Sequence, residues 1–168
     1  MNIAIYAGSF DPITAGHLGI IRRAARLFDH LRVLVAVNPD KAGLFDLDER
    51  LALVRAVIAP FPHVSADATE GYVVEYARSI GAACLVRGVR GADDADAETR
   101  LARLNEALAP ELPTLLLPAE SARVGISSSD LKARARAGES LDGWCPPPVA
   151  ARLRARLAEH HDPMEVIR

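Results

Sequence analysis

The stretch GSFDPITAGH, residues 8–17, places several groups that can bind a phosphate within one short turn. Gly8 has no side chain, so a ligand can approach the backbone closely, and Ser9 adds a hydroxyl and an N–H. Thr14 is placed to cap a following helix, and His17 would then lie in its first turn, at the positive end of the helix dipole. An imidazole N–H there can donate to a phosphate oxygen. A plain surface histidine is the alternative, but the supporting residues in the same turn favour an anion site.

A second stretch, GISSSDLKARA at residues 125–135, opens a helical pattern with consecutive serines. Their hydroxyls, together with the unpaired N–H groups of a first helical turn, form a site for an anion. Lys132 lies one turn in from Ser128 and on the same face. Serines are also common helix caps. The presence of the first stretch favours phosphate binding over an ordinary helix cap for these serines.

A third stretch, LVRGVRGADDADAETRLARLN at residues 85–105, carries Arg87 and Arg90 directly after an apolar run. The planar guanidinium group binds two phosphate oxygens at once. Gly88 and Gly91 beside the arginines, and the acidic residues that follow, favour a built site over solvated loop charges.

The elements that position these stretches alternate between apolar strand-type runs and helical patterns. The sequence predicts strands at 2–7, 31–37, 63–66, 82–88 and 114–118, and helices at 14–28, 46–59, 71–80, 97–109, 127–137 and 147–160. Strands that read as continuous apolar runs between helices indicate a parallel sheet covered on both faces. We therefore expect an α/β domain with a doubly wound, parallel, five-stranded, Rossmann-like sheet over residues 1–160, followed by a tail at 161–168. Its ligand crevice should lie at the carboxyl ends of the strands.

Composition narrows the classes of function. The 168 residues fit a single domain of roughly 100–200 residues. With 20 basic and 22 acidic side chains the net charge is −2, which argues against a nucleic-acid partner. Cys84 and Cys145 are too few for a disulfide framework. No apolar run reaches the roughly 18 residues of a membrane span, and the opening MNIAIYAGSF lacks the basic start of a signal peptide, so we expect a cytoplasmic protein without a membrane partner.

Phosphate binding here must use a device other than the common ones, because neither GxGxxG nor GxxxxGK[ST] is present. GSFDPITAGH resembles the (T/S)FDPxxxGH signature of the nucleotidyltransferase superfamily, and ISSSDLK resembles its ISSSxxK/R signature. The RGVRGADDADAETRLARLN segment is similar to RGLRxxxDFExE…N of the phosphopantetheine adenylyltransferase family, as is the single lysine in NPDKAGLFDLDERLALV. The resemblance runs from residue 1 to about residue 137. It implies the nucleotidyltransferase fold and transfer of AMP from ATP to 4′-phosphopantetheine, giving dephospho-coenzyme A and pyrophosphate.

The resemblance also assigns roles to individual residues. The catalytic residues it implies are Ser9, His17, Lys41 and Arg90. The ATP-binding residues it implies are Ser9, Phe10, His17, Gly88, Val89, Arg90, Glu98, Arg123, Val124, Gly125, Ile126, Ser127, Ser128 and Ser129. The 4′-phosphopantetheine-binding residues it implies are Ser9, Lys41, Val73, Arg87 and Asn105. No nucleophilic side chain is needed, because the acceptor phosphate itself attacks the α-phosphorus.

The family resemblance adds three further expectations. Mg²⁺ is expected as the cofactor on the triphosphate, held more by phosphate oxygens and water than by protein ligands. A homohexamer is expected because family members generally form one. Ala95, Ala97, Arg123 and Gly125 stand where the family commonly has aromatic residues, so the walls for pantetheine and adenine differ from the usual pattern.

Other functions remain alternatives at this stage. The segment from Ile126 onwards also resembles nicotinate-nucleotide adenylyltransferase. Another small nucleotidyltransferase, such as a cytidylyltransferase, would carry the same histidine motif. A nucleotide-binding regulator without catalysis would keep the phosphate site alone.

Overall fold

The computed structural model describes residues 2–37 and 42–159. In these ranges the chain alternates strands and helices: β1 (Ile3–Gly8), α1 (Ala15–Ala24), β2 (His30–Ala36), α2 (Leu47–Ile58), β3 (Val64–Thr69), α3 (Val73–Ser79), β4 (Cys84–Val89), α4 (Ala92–Leu108), β5 (Thr114–Pro118), α5 (Ser128–Arg136) and α6 (Pro147–Glu159). A short 3₁₀ turn, Ser121–Arg123, precedes α5. Lys41 and the predicted tail at 161–168 lie outside the described residues.

The sheet is parallel, with the strand order β3-β2-β1-β4-β5. The prediction of a five-stranded parallel α/β sheet is confirmed. From β1 the chain first adds β2 and β3 on one side and then returns to add β4 and β5 on the other. The strand order therefore reverses between β1 and β4, and a ligand crevice opens outside the carboxyl ends of these two strands.

The side chains of β1 alternate between two hydrophobic cores, one on each face of the sheet. Ala4 and Tyr6 pack in the larger core with residues of α1, α2, α5 and α6. Ile5 and Ala7 pack in the smaller core on the opposite face, which α3 helps to cover. This alternation follows from the two-residue period of a strand. β1 is therefore buried on both faces, and this packing fixes the position of its carboxyl end.

Several element boundaries differ from those predicted. α4 begins at Ala92 rather than at residue 97, because Asp93 and Asp94 form the acidic first turn that a helix dipole favours. α1 ends at Ala24 rather than at residue 28. β3 extends to Thr69, beyond the predicted strand at 63–66. Within the described ranges, no helix combines the length and apolar character that crossing a bilayer requires.

Candidate active site

A cavity of about 400 Å³ opens at the carboxyl ends of β1 and β4. It brings together residues from each of the three stretches singled out in the sequence. The predicted site residues that line it are Ser9, Phe10, His17, Arg87, Gly88, Arg90, Glu98, Ile126, Ser127, Ser128 and Ser129. The three stretches, more than 100 residues apart in the chain at their extremes, therefore form one site.

The remaining predicted residues lie elsewhere or outside the described chain. Val73 opens α3 and packs against the smaller core. Asn105 lies near the end of α4, where its carbonyl accepts the Ala109 N–H at 2.8 Å. The Val89 carbonyl accepts the Ala119 N–H at 2.7 Å. Lys41 is not among the described residues.

The segment before α5 borders the cavity with only part of its length. The Arg123 guanidinium donates to the Ala15 carbonyl at 2.7 Å and forms an ion pair with Glu120 at 2.9 Å. Val124 is exposed, and the space around Gly125 is open. Arg123 therefore ties this segment to the start of α1, and the cavity itself is reached from Ile126 onwards.

The first turn of α1 fixes both the orientation and the protonation of His17. The Thr14 hydroxyl accepts the His17 N–H at 3.3 Å, and His17 Nδ1 accepts the Thr14 N–H at 3.0 Å. Because Nδ1 is the acceptor, the neutral ring carries its proton on Nε2. Burial, reinforced by the charges of Arg90 and Arg87, lowers the pKa of His17 to about 4. At neutral pH the ring is therefore an uncharged hydrogen-bond donor on the cavity wall.

Phe10 supports the histidine from an unusual backbone conformation. Its φ of 46° lies in the left-handed region, which is strained for a residue with a side chain. Its ring is buried and meets the His17 ring edge to face at 5.1 Å between centroids. The conformation thus turns the aromatic ring inward against the imidazole, while Ser9 lines the cavity.

Asp11 joins three separate segments beneath this turn. Its carboxylate accepts the N–H groups of Leu44 and Phe45, each at 2.9 Å, and pairs with Lys132 Nζ at 2.9 Å. Burial alone would raise the pKa of Asp11, but these donors hold it below its ordinary value. Lys132, expected from its spacing to share the face of Ser128, is thus bound to a carboxylate. It fastens α5 to the β1–α1 turn.

The start of α5 offers backbone donors to the cavity. The Ser127 hydroxyl caps the helix by accepting the Asp130 N–H at 3.1 Å, and the Ser128 hydroxyl donates to the Pro12 carbonyl at 2.8 Å. The N–H groups of Ser128 and Ser129 have no partner within the described chain, and both residues line the cavity. These N–H groups form a helix N-terminus open to an anion.

Gly16 lets the starts of α1 and α5 lie close together. A Cβ at this position would sit 3.0 Å from the Ile126 carbonyl oxygen, which is backbone and cannot easily move. Any larger residue would push the two helix starts apart. This close approach explains why the first stretch has a glycine at position 16.

The end of β4 and the turn after it contribute two arginines that already hold carboxylates. Arg87 donates from Nε and Nη2 to Glu98 at 2.6 Å and 2.7 Å. Arg90 donates from its backbone N–H and from Nη2 to Asp94 at 2.9 Å and 3.1 Å. An anion entering the cavity therefore meets arginines whose orientation is set by acidic partners on α4.

Further lining residues were not predicted from the sequence. Gly16, Ile20 and Ala119 form an apolar wall with Gly88 and Ile126, while Tyr6 and Asp94 add polar groups. The two-residue period of β1, which puts residue 6 on the same face as Gly8, was the signal that could have identified Tyr6. The cavity as a whole suits a ligand with a flat apolar part and several phosphates.

Comparison with known proteins agrees with this arrangement. A family model described as cytidylyltransferase-like matches residues 5–134. A phosphopantetheine adenylyltransferase of Desulforudis audaxviator is 46% identical over 157 residues, which cover 94% of this chain and 96% of the relative. A protein of the same name from Synechococcus sp. (strain JA-3-3Ab) is 47% identical over 155 residues, covering 92% and 98%.

A solved structure shares the fold at much lower identity. The crystal structure of a putative nicotinate-nucleotide adenylyltransferase from Vibrio parahaemolyticus superimposes with a TM-score of 0.70 at 21% identity, covering 91% of this chain and 99% of that one. At this identity the likeness supports the fold and leaves the choice of substrate to other observations.

Proposed function

The chain belongs to the cytidylyltransferase-like family and, within it, to the phosphopantetheine adenylyltransferases, and from this we propose that it transfers AMP from ATP to 4′-phosphopantetheine. The products are dephospho-coenzyme A and pyrophosphate, a step of coenzyme A biosynthesis.

One observation carries the chemistry: the starts of α1 and α5 face the same cavity as Arg87 and Arg90. The open N–H groups at the start of α5, the His17 ring at the start of α1 and two guanidinium groups supply donors for a triphosphate and a second phosphate. The apolar wall around Ile20 and Gly88 offers a surface for the adenosine. This arrangement supports a reaction between two phosphate-bearing substrates held side by side.

The mechanism we propose is an in-line displacement without a covalent enzyme intermediate. An oxygen of the 4′-phosphate attacks the α-phosphorus of ATP, and the bond to the leaving pyrophosphate breaks. His17 donates from Nε2 to an oxygen of the α-phosphate, where negative charge accumulates. The N–H groups of Ser128 and Ser129, with Arg90, bind the β- and γ-phosphates. These donors are fixed before the reaction, so little reorganisation is needed.

The acceptor end of the site is assigned by resemblance. Ser9 orients the attacking phosphate, Arg87 anchors it, and Lys41 shares with His17 the charge at the α-phosphate. Val73 and Asn105 are assigned to the pantetheine arm. Among the described residues these two do not line the cavity. Their role requires the arm to extend beyond it towards α3 and α4.

Mg²⁺ is proposed to arrive with ATP. Among the described residues, no three His, Cys, Asp or Glu side chains lie close enough together to hold a metal ion. The carboxylates on the cavity wall, Asp94 and Glu98, are engaged by arginines. The ion would therefore be bound by phosphate oxygens and water, as is usual for Mg²⁺ on nucleotides, and no step is assigned to a metal held by the protein.

We also propose that the protein is cytoplasmic and that copies of the chain associate with one another. Leu101, Leu104 and Leu108 follow one face of α4 and are 36%, 63% and 55% exposed. None of the residues of α4 is buried, which is unusual for a helix of 17 residues. These leucines support an interface between copies of the chain, and a homohexamer is the assembly implied by the family. Sedimentation equilibrium would measure the mass of the assembly in solution. A mass of six chains supports the homohexamer, and a mass of one chain at micromolar concentration contradicts it.

The experiment that tests the reaction offers two acceptors to the same enzyme. Purified protein is incubated with ATP and magnesium and with either 4′-phosphopantetheine or nicotinate mononucleotide, and pyrophosphate release and product mass are followed. We expect dephospho-coenzyme A in the first reaction and a rate at least about a hundredfold lower in the second, because a site built for one polar acceptor leaves its groups unpaired with another. Faster turnover of nicotinate mononucleotide would overturn the proposal. Replacing ATP with CTP tests the nucleotide in the same assay.

A further inference from the structure

Tyr6 lies on the wall of the cavity, in the middle of β1. It is 5% exposed, and its ring meets the Phe10 ring edge to face at 5.4 Å between centroids. The His17 ring lies 6.4 Å away in a tilted arrangement. The phenol ring thus packs against Phe10, which also packs against the histidine.

The Tyr6 hydroxyl reaches the cavity without a hydrogen-bond partner among the described residues. Gly88 lies beside it: a Cβ at this position would touch Tyr6 Oη at 3.6 Å and would sit only 2.9 Å from the Ile20 side chain. No hydrogen bond within the described chain depends on this hydroxyl, so a phenylalanine in its place would lose no contact with the protein. The hydroxyl therefore has no evident purpose in the folded protein alone.

A second tyrosine in the same molecule shows the contrasting case. The Tyr76 hydroxyl, on α3, donates to Asp67 at 2.7 Å and accepts from Arg32 at 3.1 Å. It lies beside the opposite face of the sheet and contributes to a polar cluster there. The Tyr76 hydroxyl thus has two hydrogen-bond partners, whereas the Tyr6 hydroxyl has none within residues 2–37 and 42–159.

We propose that Tyr6 is a nucleotide-binding residue whose hydroxyl donates a hydrogen bond to bound ATP. The inference rests on the proposed function for the identity of the ligand. ATP is favoured over the acceptor because Tyr6 shares the face of the sheet that Ile20 and Gly88 line. Arg87, the assigned anchor of the acceptor, follows Val86 in β4 and pairs with Glu98 of α4 near the other face.

The ionisation of Tyr6 agrees with a donor role. Burial strongly raises the pKa of its hydroxyl, and the charge of Arg87 offsets this only in part. The group therefore keeps its proton at every pH at which the enzyme would work. A neutral donor next to a polyanion adds binding without changing the charge of the site.

The test compares Tyr6→Phe with Tyr76→Phe, because each removes one phenolic hydroxyl and no other atom. ATP affinity is measured by calorimetry with magnesium, and stability is measured by thermal unfolding without ligand. Tyr6→Phe should weaken ATP binding about tenfold, as expected for one hydrogen bond to a charged group, and leave Tm unchanged or raised. Tyr76→Phe should leave ATP affinity unchanged and lower Tm by about 2–4 °C.

The outcomes separate this inference from the proposed function. Unchanged ATP affinity in Tyr6→Phe overturns the inference. A wild-type protein that binds ATP but forms no dephospho-coenzyme A overturns the proposed reaction, while the calorimetry still decides the role of Tyr6. A wild-type protein that binds no ATP overturns both.

Discussion

The two walls of the cavity that carry polar groups are built differently. We call the β1–α1 turn with the start of α5 the braced wall; it comprises residues 9–17 and 126–129. We call the end of β4 with the start of α4 the paired wall; it comprises residues 87–98. The braced wall is held by buried contacts between distant segments, with Asp11 at their centre. The paired wall is held by ion pairs between near neighbours, Arg87–Glu98 and Arg90–Asp94.

This difference in construction implies a difference in role. Donors in the braced wall are backbone N–H groups and a neutral imidazole, which contacts within the protein hold in place. They suit the stabilisation of charge that appears during the reaction, because nothing has to reorganise. Cations in the paired wall already have carboxylate partners, so a phosphate must compete with those partners. The paired wall suits the exchange of substrates.

The largest expected effect is the loss of stability in Asp11→Ala. This change leaves Lys132 and the N–H groups of Leu44 and Phe45 without their common acceptor. Removing one member of such a buried charged pair costs about 3–5 kcal/mol. The matched control is Asp94→Ala in the paired wall, where the arginine partner is 42% exposed and the expected cost is at most about 1 kcal/mol.

Urea unfolding of the two variants measures the contrast. The m-values should agree with that of the wild type, so that midpoints report stability alone. Equal losses of unfolding free energy in Asp11→Ala and Asp94→Ala would show that the two walls are not braced to different degrees.

The next largest effect is expected for His17→Ala, which should lower the catalytic rate. Loss of one fixed donor to the developing charge lowers kcat by about 10²–10³-fold, while the fold loses only a cap contact worth about 1 kcal/mol. His63→Ala is the control, because His63 is exposed at the start of β3, away from the cavity. Steady-state kinetics at saturating ATP check the prediction. Near-normal kcat in a folded His17→Ala protein would remove the imidazole from the mechanism.

Glu98→Gln, in the paired wall, should have a smaller effect than His17→Ala, and it should improve binding of a substrate rather than slow the reaction. The substitution keeps the size of the side chain and removes the charge that competes for Arg87. The KM for the acceptor should therefore fall by at least about fivefold, since one unit charge a few ångströms from a phosphate contributes about 1 kcal/mol even where water screens it, and this ion pair is largely buried. Measuring both KM values decides the assignment. A rise in the KM for ATP with the acceptor unaffected would place Glu98 on the adenosine, as the family resemblance implies.

The sequence predicted what depends on local pattern. The five parallel strands and the Thr14 cap were both expected and are present. Each depends on residues a few positions apart. The order of strand and helical patterns was sufficient to place the crevice at the strand ends.

The sequence did not predict what depends on distant partners. Asp11 bonds to residues 33, 34 and 121 positions away, and no spacing rule connects them. Lys132 was expected near Ser128 because helix periodicity alone puts them on one face, yet its charge is taken by Asp11. The predicted helix at 97–109 left out Asp93 and Asp94, which form the acidic first turn of α4. In each case a tertiary or dipole interaction decided the outcome.

The most direct test concerns the backbone N–H of Ser128 and compares Ser128→Pro with Ser128→Ala. Ser128 is the first residue of α5, where proline is well tolerated, and Ser127 has the extended conformation that a following proline requires. Both variants lose the hydroxyl, and Ser128→Pro alone also loses the N–H. ATP affinity is measured by calorimetry after thermal unfolding has shown that both variants fold. The account predicts that Ser128→Pro binds ATP about tenfold more weakly than Ser128→Ala. Equal affinities in the two folded variants would contradict the claim that this helix start holds the triphosphate.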